Sequence, residues 1–577
     1  MQAAADQRIT PGAWCYAAAI LLAGALLRLL SLGHEGLWCD EGYTALTAAK
    51  PIPELIGDLA RHDDAVPLFY LLVRAAVLLL GDSEFVVRLV PALAGIAAIL
   101  YLLAQARQRR SAGLLHAAAV LALAPLAIFY ARQAREYSLL MLFALPLIFG
   151  GADLLRGRRG GPRVVLGGAL LGFTHNLGLL LIAASAAGGL LLLRRAPALL
   201  RWLGWHALAL LPALLWWLAV GWGQLETHAS GNQWIAPFWR SHPLGIAPLH
   251  SLGLFVPGVA PGAALQVAFP RLDASLLWRA LSALAALICL LAAVRAGARR
   301  ARPVELPLRY LGALLLLPLI ALALLSAVWT PAYILGRTDG LAFLPFALLI
   351  GVGLARLPRL FAAAALLGWG LITLFSLAPS YGWELHGSAL PEKGSDRQIA
   401  RFLAETPLRE GDVIVHGRLT APSIEYHLRR FGAAHTPTWF PASAGENPAA
   451  AIPLPVDSLA DYLEEARRKR DWIEAHLPPG GMVWILATLE TGAPEAPEAR
   501  RTGRVRAMDL RYPTNLLVYR LAGLEPQPVA RFYRQDWIAG ERLLLRLPPA
   551  RWMPPSQLPR IQLEEGASAP DASRRED

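Results

Sequence analysis

The sequence predicts a polytopic α-helical membrane protein that ends in an extracytoplasmic α/β domain. Three observations carry that prediction. Of the 577 residues, 55% are hydrophobic and only 17% charged, where a soluble globular protein carries about a quarter of its residues as charged types. Apolar runs of membrane-spanning length recur through residues 1–379 and then stop. The basic excess is confined to that same part: residues 1–379 hold 29 Lys+Arg against 16 Asp+Glu, whereas residues 380–577 hold 25 against 26. A soluble nucleic-acid binder would carry its charge on a water-exposed domain, so that class is excluded. Intrinsic disorder is excluded by the amount of apolar surface.

A spanning helix needs roughly 20 apolar residues, and basic residues collect in short cytoplasmic loops. Five basic clusters separate the apolar runs: Arg107/Arg109/Arg110, 156–163, 194–201, 295–309 and Arg356/Arg359. Placing all five inside, with a cytoplasmic N-terminus, gives about eleven spans by these rules. They fall near 12–32, 86–105, 113–130, 138–155, 164–175, 177–193, 203–221, 275–294, 308–329, 338–355 and 360–378. The first run has no small-residue cleavage site after it and reads as a retained span. Residues 164–193 are short for two crossings and read as two helices meeting at Thr174-His175-Asn176. Residues 67–80 are apolar, but making them a span would invert every later loop, so they are expected to lie in the outer interface.

Acidic residues check the orientation independently. Of the 16 in the membrane part, only Asp6, Asp153 and Glu305 fall on the predicted inside, and nine lie between Glu35 and Glu84 in the first outer loop, 33–85. None sits at a span centre, where a carboxylate commonly marks an ion or proton path. An odd number of spans leaves the soluble domain, 380–577, outside. Within it, 412–416, 482–489 and 515–521 read as strands, and 457–476 as a helix stopped by Pro478-Pro479-Gly480. The three cysteines, Cys15, Cys39 and Cys289, form no disulfide or zinc pattern.

The first outer loop carries chemistry. It opens Gly36-Leu-Trp-Cys-Asp40-Glu41-Gly-Tyr43, two adjacent carboxylates at a membrane surface. A carboxylate there can take a proton from a hydroxyl or amine acceptor; the ordinary alternative is a solvated acidic loop. Arg28, Arg88, Arg135 and Arg337 all fall at predicted outer ends of spans, opposite to where positive charge collects. Guanidinium forks suit phosphate oxygens, and the ordinary alternative for each is an arginine snorkelling to the interface. Trp222, Trp234 and Trp239 sit in the predicted outer loop 221–241 with Gln224, Asn232, Gln233 and His242. They suit sugar stacking, or equally an aromatic belt.

The Trp-x-Asp-Glu segment at Asp40, the segment Arg61-His-Asp63-Asp64-Ala-Val-Pro67-Leu-Phe-Tyr70, the stretch around Glu84 and Arg88, and Gln133-Ala-Arg135-Glu-Tyr137 together resemble the GT-C type membrane glycosyltransferases. The resemblance is to the family 39-like group, which includes protein O-mannosyltransferases and lipid A aminoarabinose transferases, and covers roughly residues 12–360. It implies a GT-C fold in a multi-pass cell (inner) membrane protein and a polyprenyl-phosphate-linked sugar donor. It also implies transfer to an acceptor protein, lipid or glycan outside the cytoplasm. Asp40 would be the base with Glu41 beside it. Arg28, Arg88, Arg135 and Arg337 would hold the lipid phosphate, and Asp63, Asp64, Tyr70, Tyr137 and His175 would line the substrate site. His175 resembles the family's Thr-His-aromatic position, and Arg337 its late Arg-Tyr segment, although Thr338 follows here.

No cofactor is implied, and no Asp-x-Asp or His cluster stands out in the sequence as a metal site. The chain departs from the family at Ala65-Val66-Pro67, where His-Pro-Pro is common; the missing histidine's role would be vacant or fall to His62, Asp63 or Asp64. That departure leaves open a scaffold that has lost donor binding, and a lipid-linked-glycan transporter or flippase is a further function class, disfavoured by the lack of acids at span centres.

Overall fold

The structure is a computed structural model. It describes residues 11–62, 65–231, 244–256, 272–298, 306–377, 381, 395–406, 408–409, 411–417, 421–433, 435–440, 459–490, 504–505, 528–534, 540–547, 552 and 562–563. Asp63, Asp64, Trp234, Trp239, His242 and the strand expected at 515–521 lie outside the described residues, as does the side chain of Trp222.

In chain order the helices of the apolar part are α1 (Pro11–Leu29), α2 (Cys39–Ala49), α3 (Ile52–His62), α4 (Leu68–Leu80), α5 (Glu84–Arg109), α6 (Ala112–Leu123), α7 (Pro125–Ala131) and α8 (Tyr137–Leu155). They continue with α9 (Gly161–Thr174), α10 (Leu177–Leu192), α11 (Ala196–Gly231), α12 (Ala247–Phe255), α13 (Leu272–Ala298), α14 (Leu308–Val328), α15 (Phe343–Leu354) and α16 (Arg359–Leu377). Every one of the eleven apolar segments read from the sequence is helical, and His175–Asn176 separates α9 from α10 as expected. Among the described residues, five helices are long and apolar enough to cross a membrane on their own, six if the bent pair α6–α7 counts as one. The remaining apolar helices are shorter. At 13 residues, α4 is about 20 Å long and belongs with these shorter apolar helices.

Packing divides the chain into two compact units. The first comprises Met1–His34, Ala48–Ala236 and Pro243–Ser388; the second comprises Glu35–Thr47, Pro237–His242 and Ala389–Asp577. The sequence reading divides the chain once, at 379/380, whereas the packing moves most of α2 into the unit formed by the C-terminal residues.

The first unit is a helical bundle whose outer surface is apolar. Leu79, Leu191, Leu200, Val328 and Leu360 are each 70–82% exposed, a surface that hydrocarbon covers and water does not. Polar side chains turn inward and bond. The Ser185 hydroxyl lies 2.8 Å from His206 Nε2 and 2.6 Å from the Tyr310 hydroxyl, joining α10, α11 and α14. At one end of the bundle, Asp153 on α8 receives Arg109 at 2.8 Å and Arg163 at 2.9 Å. These three residues come from segments that the sequence assigns to one side of the membrane.

The break between α6 and α7 organises the other end. Pro125 has no N–H, so Leu121 O has no helical donor four residues on, and the 59° bend takes Ala122 O and Leu123 O away from theirs. Each buried carbonyl must then bond elsewhere. Arg28 Nη2 donates to Leu121 O at 2.9 Å and Nη1 to Ala122 O at 3.1 Å, and the Thr373 hydroxyl of α16 donates to Leu123 O at 2.7 Å. Gly95 makes room for this, since a Cβ there would lie 2.7 Å from Arg28 Nε. The carbonyls in the last turn of α1 and just past it are held the same way. Arg132 donates to Leu30 O and Ser31 O, Arg88 to Leu32 O at 3.0 Å, and the Tyr381 hydroxyl to Leu27 O at 2.6 Å, with the Arg132 guanidinium 4.3 Å from the centre of the Tyr381 ring.

The second unit holds a five-stranded mixed sheet. Its described elements are α17 (Ser395–Glu405), β1 (Val413–Gly417), α18 (Ala421–Arg430), β2 (Thr436–Phe440), α19 (Leu459–His476), β3 (Val483–Glu490), β4 (Arg504–Val505), β5 (Pro528–Arg534), β6 (Gly540–Leu547) and β7 (Gln562–Leu563). The order is β2-β1-β3-β6-β5, with β1 parallel to both neighbours and β6 antiparallel to β3 and β5; β4 and β7 pair separately. Ile399 and Leu403 of α17, Ile424 and Leu428 of α18, Ile414 of β1 and Trp484 of β3 form the core. The start of α2 belongs to this unit. Gly42 meets the backbone of Pro422–Ser423 at the start of α18, where a Cβ would lie 2.5 Å from Ser423 N and 2.6 Å from Pro422 C.

Candidate functional site

Two groups of residues carry the predicted chemistry, one in each unit. In the second unit the acidic pair opens α2. Trp38 is the N-cap, its carbonyl accepting from Gly42 N–H at 2.8 Å. Glu41, three residues on, reaches back so that its Oε2 accepts the Trp38 N–H at 3.4 Å. This is one half of a capping box, and Glu41 is only 1% exposed. Asp40 is half-buried and lends its carbonyl to the Thr44 hydroxyl at 3.0 Å. The two carboxylates therefore differ in kind. Asp40 keeps part of its surface exposed, whereas Glu41 is buried at its own helix terminus with Oε2 on the Trp38 N–H.

In the first unit, the four arginines expected at the lipid phosphate divide into two pairs. Arg28 is 0% exposed and Arg88 3%, and the bonds described above tie Arg28 to carbonyls of α6 and Arg88 to Leu32 O. Arg28 in particular is committed to the framework. Its guanidinium bonds two carbonyls freed by the proline break in α6–α7.

Arg135 and Arg337 instead join a cluster of side chains. The Arg337 Nε donates to the Tyr137 hydroxyl at 2.7 Å, and its guanidinium carbon is 5.9 Å from the centre of the Tyr137 ring. Tyr137 also packs at 4.5 Å on Tyr130 and at 5.8 Å on His175. The Tyr130 hydroxyl donates to Gly336 O, just before Arg337; Gly336 has φ +72°, a conformation that favours glycine. Arg135 Nη2 lies 3.3 Å from Glu136 Oε1, and His175 Nε2 lies 3.3 Å from the same oxygen. His175 Nδ1 accepts the Leu177 N–H at 3.0 Å, so a neutral ring carries its proton on Nε2, facing Glu136. Glu136 Oε2 is buried and bonds to no other described residue.

This cluster sets the Arg135 guanidinium and the His175 imidazole on one oxygen of the Glu136 carboxylate, with the Arg337 guanidinium held on Tyr137, a set of donors able to receive an anion. It draws on the α7–α8 connection, the α9–α10 junction and the segment before α15. The structure thus brings Arg135, Tyr137, His175 and Arg337 together. Tyr70 is buried on α4 beside Phe69.

Sequence reading missed Glu136, Arg132 and Tyr381. Glu136 lies inside the Gln133–Tyr137 segment that carried the resemblance and Arg132 just before it, and their charge was the available signal. Tyr381 had none, since its partners lie in α1 and in Arg132.

By sequence, no protein-family model and no curated protein matches the chain. By structure it is similar to ArnT from Cupriavidus metallidurans bound to undecaprenyl phosphate, with a TM-score of 0.55 and 15% identity over 94% of this chain and 100% of that one. The apo state of the same protein aligns over the same shares with a TM-score of 0.50 and 14% identity. The alignment reaches through both units. The chain therefore has the GT-C fold expected from its sequence, a polytopic helical membrane bundle joined to a small C-terminal sheet.

Proposed function

We propose that the protein is a membrane glycosyltransferase that moves a sugar from a polyprenyl-phosphate carrier to an acceptor outside the cytoplasm. The observation that carries the reading is the Arg135–Glu136–Tyr137–His175–Arg337 cluster, a site for an anion at one end of an apolar helical bundle. The ArnT structure with the same fold holds undecaprenyl phosphate, which agrees in chemical class with what such a cluster would bind.

In the proposed reaction Asp40 accepts the proton of the acceptor hydroxyl or amine as its oxygen or nitrogen bonds to the anomeric carbon. The bond from that carbon to the phosphate oxygen breaks, and its electron pair leaves with the lipid phosphate. Arg135 and Arg337 stabilise the charge that grows on the phosphate, where fixed donors act most strongly. A single displacement inverts the anomeric carbon. Donor sugar and acceptor are to be read from experiment: mass spectrometry of lipid co-purified with the protein names the sugar. A radiolabelled transfer assay on membranes then compares wild type with Asp40→Asn. Undiminished transfer by a folded Asp40→Asn protein removes Asp40 from the mechanism, and absence of any bound or transferred sugar rejects the glycosyltransferase reading.

A further inference from the structure

We propose that His416, Glu425 and His435 form a binding site for one divalent transition-metal ion, zinc by the character of the donors. The three residues come from β1, α18 and the residue preceding β2. His416 Nε2 lies 2.6 Å and His435 Nε2 2.9 Å from the same oxygen, Glu425 Oε1, and the candidate ligand atoms all lie within 4.8 Å of one another. The side chains are 0%, 3% and 5% exposed for His416, Glu425 and His435. Two imidazoles and a carboxylate are an established zinc set, with one coordination position left open.

The hydrogen bonding around His435 argues for a cation. Its Nδ1 lies 3.0 Å from Ala433 O, and a carbonyl only accepts, so Nδ1 carries a proton. In the neutral ring Nε2 is then a bare lone pair facing a carboxylate oxygen. Something positive must lie between them, either a second proton or a metal ion. Metal-bound histidines characteristically donate their other ring N–H to a backbone carbonyl, as His435 does. His416 Nδ1 is buried and bonds to no other described residue, so nothing in its surroundings demands a charged ring. Neighbouring ligands of a tetrahedral ion with bonds of about 2.0–2.2 Å lie roughly 3.3 Å apart. The ion therefore requires the Glu425 oxygen to move about 0.4–0.7 Å away from the two imidazole nitrogens, and ligand atoms now up to 4.8 Å apart to close to that spacing.

The ion would pin α18 to the two parallel strands that it connects. One turn before Glu425, Pro422 and Ser423 form the surface that receives Gly42 of α2, and the Ser423 hydroxyl donates to Asp396 of α17. Zinc would therefore hold the seat of the helix that carries Asp40. The site itself stands whether or not the transferase reading does.

The test uses the full-length protein in detergent, stripped with a chelator, dialysed and returned to zinc. Elemental analysis should find about one zinc per chain, and Glu425→Gln and His435→Ala should each weaken binding by more than about tenfold. Wild type loaded with cobalt should show the visible absorption of a four-coordinate ion with nitrogen and oxygen ligands, a reading that needs no variant. Wild-type protein that takes up neither metal overturns the proposal in favour of a buried imidazolium–carboxylate cluster. Zinc retained undiminished by both variants overturns it as well.

Discussion

Replacing Arg28 with methionine separates a framework role from a ligand role. The variant keeps a long apolar side chain in a site that is 0% exposed but removes the donors to Leu121 O and Ala122 O. A hydrogen bond from a charged donor contributes about 1.5–3 kcal/mol net, so the two bonds are worth roughly 3–6 kcal/mol. The lower end applies, because methionine fills the space and spares the burial of a guanidinium. At about 2 °C per kcal/mol for a large domain, 3 kcal/mol lowers the melting temperature by roughly 6 °C. The assay is thermal melting of purified protein in detergent, followed by size exclusion, beside donor titration in the transfer assay. Per folded molecule, kcat and the donor KM should stay within about twofold of wild type. Unchanged melting with a donor KM raised tenfold or more would refute the reasoning and return Arg28 to the phosphate.

Glu41→Gln keeps an oxygen for the Trp38 N–H and should leave transfer nearly unchanged, whereas Glu41→Ala should cost about 0.5–2 kcal/mol of stability, the worth of a helix cap. Loss of transfer in Glu41→Gln with normal melting would give Glu41 a chemical role. Arg337→Lys keeps the charge but loses the planar donor to Tyr137, and transfer should fall at least about tenfold while Tyr137→Phe falls less; equal activity of Arg337→Lys and wild type would argue against a fork-like contact. Gly42→Ala places a methyl against backbone atoms of Pro422–Ser423 and should cost about 1–3 kcal/mol by overpacking. Limited proteolysis should then cut near α2 faster, and an unchanged digestion pattern would count against that contact.

What could be read from the sequence were the features that depend on near neighbours. Apolar runs marked the helices because spanning segments need little more than length and hydrophobicity. The strands expected at 412–416 and 482–489 match β1 and β3, and the helix at 457–476 matches α19, to within two residues. β2 escaped because Pro437 interrupts its pattern, a residue tolerated there since β2 is the edge of the sheet. The Asp-Glu pair was visible, but the difference between its members was not, since it rests on which carboxylate turns back to the Trp38 N–H. Arg28 and Arg135 likewise look equivalent in sequence. They part only because one meets carbonyls released at Pro125, almost a hundred residues away. His416, Glu425 and His435 form no recognised spacing, and only the strand–helix–strand crossover brings them together.

The contact of Gly42 with Ser423 also sets an order of events in synthesis. The two residues that meet are about 380 positions apart. At a synthesis rate of about 5–20 residues per second, α2 is made roughly 20–75 s before its seat on α18 exists. Until then the face around Gly42 lacks its partner, and whatever shields it must let go when the C-terminal unit emerges. A fragment that begins at the C-terminal unit has the converse defect, for it would fold without a helix encoded near the start of the chain. Supplying residues 35–47 as a separate peptide should restore what such a fragment lacks.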